Sequence, residues 1–94
     1  MIRTYKNQFP EYDDELVFPK GWNDTSWHND ACPSFAYPTL SGEELRIYCD
    51  YKNPEMQETQ GKRFNVSLDD GINFNVLAGF DTLQEALEYC GTLK

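Results

Sequence analysis

The sequence predicts an α+β domain: a small antiparallel sheet of three to five strands, with one C-terminal helix packed on one face. Three observations carry that prediction. Glu44 to Tyr51 alternates strictly, with Leu45, Ile47, Cys49 and Tyr51 on one side and Glu44, Arg46, Tyr48 and Asp50 on the other. Period two over eight residues is the pattern of a half-buried strand. Two further alternating runs flank Asp69-Asp70-Gly71, with Phe64, Val66 and Leu68 before it and Ile72, Phe74, Val76 and Ala78 after it. An Asp-Gly pair accepts the positive φ angles of a turn that matches strand twist, so these runs form a hairpin. Finally, Leu83, Ala86, Leu87 and Cys90 follow the i, i+3, i+4, i+7 spacing of a helix face.

Taken in order, residues 1–33 read as irregular. They hold Pro10, Pro19, Pro33 and Gly21, and only Leu16-Val17-Phe18 looks like a short strand, stopped by Pro19. Ser34 to Tyr37 reads as a strand ending at Pro38, and Ser41-Gly42 as a turn. Strands are therefore expected within 34–78, with a polar connector from Lys52 to Gly61. Thr82 with Glu85 makes a capping-box pattern, Asp81 is an equally good N-cap, and Gly91 is the expected left-handed terminator of a helix over 82–90. So short a helix does not form alone in water and must lie with its stripe on the sheet. The opposite face would carry Arg46, Tyr48, Asp50, Asn65, Ser67, Asn73, Asn75 and Leu77, either solvated or covered by residues 1–33.

Composition excludes several function classes. The 94 residues leave room for a single domain, residues 1–94. Sixteen acids against eight bases give a formal charge of −8, which argues against direct nucleic-acid binding because phosphate contact needs a basic face. The longest apolar runs, Leu16-Val17-Phe18 and Val76-Leu77-Ala78, fall far short of the roughly 20 residues of a membrane span. Met1 to Tyr5 opens no apolar leader, so a cytoplasmic, intracellular protein is expected. Only twenty residues are Leu, Ile, Val or Phe, but the six Phe, six Tyr and two Trp supply enough burial for a folded core. Cys32, Cys49 and Cys90 cannot all pair and show no C-x-x-C spacing, so reduced, buried thiols are expected, with a Cys49–Cys90 bridge as the alternative.

One segment concentrates reactive side chains. Trp22 to Pro33 contains both tryptophans, His28, Asp24, Asp30, Ser26 and Cys32. As a catalytic site it would use His28 as base and Ser26 or Cys32 as nucleophile, but no nucleophile elbow or comparable signature accompanies them, and no enzyme is expected. As an ordered loop, its Asp, Asn, Ser and Thr side chains bond back to the backbone while the tryptophans plug into the core. As a binding loop, Trp22 and Trp27 would be the anchors. His28, Asp30 and Cys32 alternate but lack the second ligand pair that zinc needs, and neither Asp13-Asp14-Glu15 nor Asp69-Asp70 has a calcium-loop pattern. With no glycine-rich phosphate cradle either, no metal and no cofactor are expected.

What remains is the acidity. Exposed carboxylates are expected at Glu11, Asp13, Asp14, Glu15, Glu43, Glu44, Asp50, Glu55, Glu58, Asp69, Asp70, Asp81, Glu85 and Glu88. An acidic surface keeps a small protein soluble; clustered, it can also imitate a nucleic acid's phosphates and be steered onto a basic groove. In size, acidity and lack of catalytic motifs the chain resembles the small inhibitors that phages and mobile elements encode against host nucleases, the anti-CRISPR and anti-restriction proteins. That resemblance implies a non-enzymatic inhibitor whose partner is a basic, nucleic-acid-binding host complex. The contacts would come from Asp13, Asp14, Glu15, Glu43, Glu44, Asp50, Asp69 and Asp70. The other expectation is a small interaction module or subunit, docking through the Trp22–Trp27 loop or an edge strand; the chain would be a monomer or a strand-paired homodimer.

Overall fold

A computed structural model describes residues 4–57 and 61–93. Its five-stranded antiparallel sheet runs in sequence order: β1 (Asn23–Asp24), β2 (Ser34–Pro38), β3 (Glu44–Cys49), β4 (Phe64–Asp69) and β5 (Phe74–Phe80). Two helices frame it, α1 (Tyr5–Gln8) and α2 (Leu83–Gly91), with a 3-10 turn over Pro54–Met56. The fold is the α+β arrangement that the alternation and the helical stripe predict.

Strand β3 is the spine. Leu45, Ile47 and Cys49 are fully buried, opposite Leu68, Val66 and Phe64 of β4. Helix α2 lays Ala86 and Cys90 on this face, starting from Thr82, whose Oγ1 accepts the Glu85 amide at 3.2 Å. Gly91 is the last helical residue, and a left-handed backbone is not used. The helix closes instead on Thr92, whose hydroxyl donates to the Tyr89 carbonyl at 2.7 Å.

The segment before β2 differs most from expectation. Residues 5–8 are helical because Thr4 and Asn7 cap one another, with Thr4 N–H donating to Asn7 Oδ1 at 3.0 Å. Asn at that position departs from the Glu or Gln of the usual signature, which hid the helix. Leu16-Val17-Phe18 is not a strand; β1 lies later, pairing Asn23 with Ala36 and Asp24 with Phe35. The aromatics of this segment share the helix's side of the sheet. Phe35, opposite Ile47, stacks on Phe18 at 3.9 Å and lies 6.0 Å from Tyr5, while Leu16 and Trp22 join the same core. The segment therefore covers the β2 half of the face that α2 covers over β3–β5, and does not roof the opposite face with these rings.

A bulge corrects the reading of β5. Val66 pairs with Ala78 but its neighbour Ser67 pairs with Val76, leaving Leu77 as the extra residue. Adjacent residues of β4 face opposite ways, so Val76 and Ala78 lie on opposite faces rather than one. Val76 is 61% exposed as a result, and Ile72, in the turn before β5, is 91% exposed. The side chain of Phe74 lies outside the description.

Candidate functional site

The register of β3 on β4 sorts the acids into two groups. Glu44 pairs with Asp69, so the Glu43-Glu44 and Asp69-Asp70 turns stand at the same end of the sheet. Asp13, Asp14 and Glu15 stand at the other end, where the chain leaves β3 and enters β4. Six residues of strand, about 20 Å, separate the two ends.

At the far end the carboxylates are occupied by the fold. Asp13 accepts the backbone amides of Lys52 and Asn53 at 2.9 and 2.7 Å. Burial alone would raise its pKa, but these two amides hold it below the ordinary value. Asp14 pairs with Arg63 at 2.9 Å, and Arg63 also donates to the Asp50 carbonyl at 3.0 Å and the Tyr12 hydroxyl at 3.1 Å. Against its own burial, the Arg63 hydrogen bond keeps Asp14 below its usual range. Glu15 lies 3.4 Å from Lys6. Asp50, expected outside, is 3% exposed, its Oδ1 accepting the Tyr51 amide at 2.9 Å. It is no surface contact: the strand ends there and the chain folds back over it.

At the near end Asp70 is exposed, while Glu43, Glu44 and Asp69 are half-buried. Asp70 sits on the hairpin turn, accepting the amides of Ile72 and Asn73, which hold it below its ordinary pKa and ionised. Gly71, at φ 91°, makes that turn. Glu43 accepts from the Ser41 hydroxyl at 3.0 Å within a turn tied by Thr39. Arg46 bridges Asp69 at 3.3 Å and Glu44 at 3.6 Å, so among the described residues four carboxylates stand here beside one guanidinium. Between the two turns and the end of α2 lies a hollow of about 350 Å³ walled by Leu45, Leu68, Leu77, Tyr89 and Leu93, with Glu43 on its lip. It opens beside Leu40, which lines the neighbouring hollow with Leu93. Sequence reasoning named the acids but missed the hollow, because its walls come from three strands and a helix and no local period brings them together.

The Trp22–Pro33 segment is largely an ordered corner. Trp22 is 9% exposed, packed against Phe18 and Tyr37, and is a core residue rather than an exposed anchor. Trp27 is 37% exposed and lies on the His28 ring at 4.3 Å. Gln8 Oε1 accepts both the His28 amide (3.1 Å) and His28 Nδ1 (2.9 Å), so the Nδ1 atom carries the proton. Ser26 Oγ is buried against the Ser34 amide at 3.2 Å, and Asp24 ties Ser26 to Tyr5 through both carboxylate oxygens. These contacts tie the segment to α1 and β2. Among the described residues no three His, Cys, Asp or Glu side chains gather as metal ligands. None of the three cysteines is in a disulfide, all are buried, and Cys49 and Cys90 are not bridged. Glu58 lies outside the described residues, and no described helix is long and apolar enough to cross a membrane. No family model, curated protein or solved structure matches the chain.

Proposed function

We propose that the chain is a non-enzymatic, intracellular binding protein of the phage-inhibitor kind, which occupies a basic nucleic-acid-binding surface of a host protein with the Glu43-Glu44 and Asp69-Asp70 end of its sheet. The observation that supports this reading is the pairing of Glu44 with Asp69, which gathers two acidic turns at one end. With a net charge of −8 behind them, these carboxylates present a negative field to a cationic groove. Asp13 and Asp14 hold backbone amides and Arg63 as Asp70 and Asp69 hold amides and Arg46, so what sets the Glu43-Glu44 and Asp69-Asp70 end apart is that two acidic turns meet there.

The test is displacement of labelled duplex from purified nucleic-acid-processing proteins that carry a basic groove. Raising salt from about 0.1 to about 1 M shortens the screening length from about 10 to about 3 Å. Displacement should collapse over that range, and Glu43→Lys with Glu44→Lys should abolish it at low salt. Displacement indifferent to salt and to these changes refutes the reading.

A second reading is favoured by one observation. The edge strand β5 and its approach, Ile72 to Phe80, carry no charge and expose Ile72, Val76 and Leu77. An uncharged edge with exposed apolar side chains is suited to adding a strand from another chain. On this reading Val76→Lys abolishes binding and the Glu43/Glu44 reversals leave it intact.

A further inference from the structure

We propose that Asp70 is a site of spontaneous covalent modification, the chain's point of isoaspartate formation, and that Asp69 holds the reaction shut in the folded protein. The inference stands apart from the choice of partner, because its only co-reactant is water.

Asp70-Gly71 is the one Asp-Gly step in the sequence. In such a step the glycine nitrogen attacks the γ-carbon of the aspartate. An N–C bond forms, a C–O bond breaks, and the hydroxyl leaves as water with the proton of the nitrogen. The succinimide ring so formed takes up one water at either carbonyl and reopens as aspartate or as isoaspartate, whose backbone runs through the former side chain. Glycine favours the attack because it places no Cβ beside the nitrogen. The surroundings leave room for the ring, since a Cβ added at Gly71 would meet nothing within 4 Å. Asp70 and Gly71 are both exposed, so water reaches them.

The fold withholds both reacting groups. The Gly71 N–H, whose proton must leave before the nitrogen can attack, donates to Asp69 Oδ1 at 2.8 Å. Asp70 Oδ1 accepts the amides of Ile72 and Asn73, which keep the carboxylate ionised, and a carboxylate oxygen departs only once it is protonated. Reaction therefore waits on the opening of three hydrogen bonds. Asp69 is itself anchored, its Oδ2 lying 3.3 Å from Arg46, so the lock on Gly71 is tied to β3 and exists only in the folded sheet. Isoaspartate adds one carbon to the backbone between β4 and β5. It displaces the bond from the Asp70 N–H to the Asn73 carbonyl, 3.2 Å long, and with it the pairing of Asp69 with Phe74.

The experiment incubates the full chain at neutral pH, native and in guanidinium chloride. Isoaspartate is followed at each aspartate by peptide mass spectrometry with electron-transfer fragmentation, which separates the two linkages. In guanidinium chloride it should collect at Asp70 faster than at any other aspartate. In the native chain the same reaction should run at least about tenfold more slowly, because the three bonds must open first. Asp69→Ala removes the acceptor of the Gly71 N–H and should speed the native reaction by about two- to tenfold. Asp69→Asn, whose amide oxygen still accepts that N–H, should keep the wild-type rate, and native Trp22 fluorescence in both variants shows that the sheet is intact. Equal native and unfolded rates in the wild type, a comparison that needs no variant, refute the lock. Equal acceleration in Asp69→Asn and Asp69→Ala assigns the protection to the charge of Asp69 on Arg46 and overturns the role given to the Gly71 bond. Isoaspartate that gathers elsewhere in guanidinium chloride, with Asp70 unmodified, refutes the site.

Discussion

Arg63 is the side chain whose loss should be felt farthest from its own position. Its three donor groups reach Asp14 (2.9 Å), the Asp50 carbonyl (3.0 Å) and the Tyr12 hydroxyl (3.1 Å), and its guanidinium lies 4.8 Å over the Phe64 ring. It thereby ties the segment preceding Leu16 to the start of β4. Arg63→Met keeps most of the stem's volume and removes every donor. The partly exposed ion pair contributes about 1 kcal/mol and each of the other two charge-assisted bonds about 1.5 kcal/mol. The Asp50 carbonyl keeps the Tyr12 hydroxyl at 3.1 Å, which recovers part of the loss. A net destabilisation of about 2–3 kcal/mol follows, or a fall in Tm of roughly 8–24 °C for a domain of this size. Urea unfolding followed by the fluorescence of buried Trp22 measures it. Lys6→Met, which removes only the 3.4 Å exposed pair with Glu15, serves as control and should cost under about 0.5 kcal/mol. The Asp14→Asn, Arg63→Met double-mutant cycle should return a coupling of about 1 kcal/mol. A loss for Arg63→Met no larger than the control's would show that the three contacts do not hold the two parts together.

Other outcomes follow from the same geometry. Burial pushes the Tyr12 phenol well above its ordinary value of 10.0, with Cys49 adding to the shift, so the folded protein holds this proton more tightly than the unfolded chain. Its contribution is complete below about pH 10 and lost as pH rises further, so the urea midpoint should fall between about pH 9 and about pH 11 in wild type and fall less steeply in Tyr12→Phe. Asp13 and Asp14 shift the other way, so stability present above about pH 4 should be lost on acidification, less so in Asp14→Asn; an unchanged acid limb would contradict the role given to Arg63. Trp22→Ala should cost about 3–5 kcal/mol, whereas Trp27→Ala should cost under about 1.5 kcal/mol with circular dichroism unchanged. A thiol reagent should find almost no reactive cysteine in the native protein and three after denaturation without reductant; fewer than three would indicate a bridge.

Local chemistry was enough to locate β3, the Asp69-Asp70-Gly71 hairpin and α2, because each repeats a period or a turn signal within a few residues. Leu45, Ile47 and Cys49 alternate, and Thr82 caps whatever helix follows it. The same reasoning failed wherever the deciding partner lay far along the chain. Nothing near Asp50 says that the strand will end beneath Tyr12 and Arg63, and nothing near Trp22 says that Tyr37 and Phe18 will enclose it. A single extra residue at Leu77 put Val76 on the face opposite Ala78, because a period of two retains no memory across a bulge. Length, an excess of acid and the kinds of elements present belong to the chain itself. Which carboxylates gather at one end of the sheet, and the apolar hollow between two turns and a helix end, exist only once strand register has brought distant residues together.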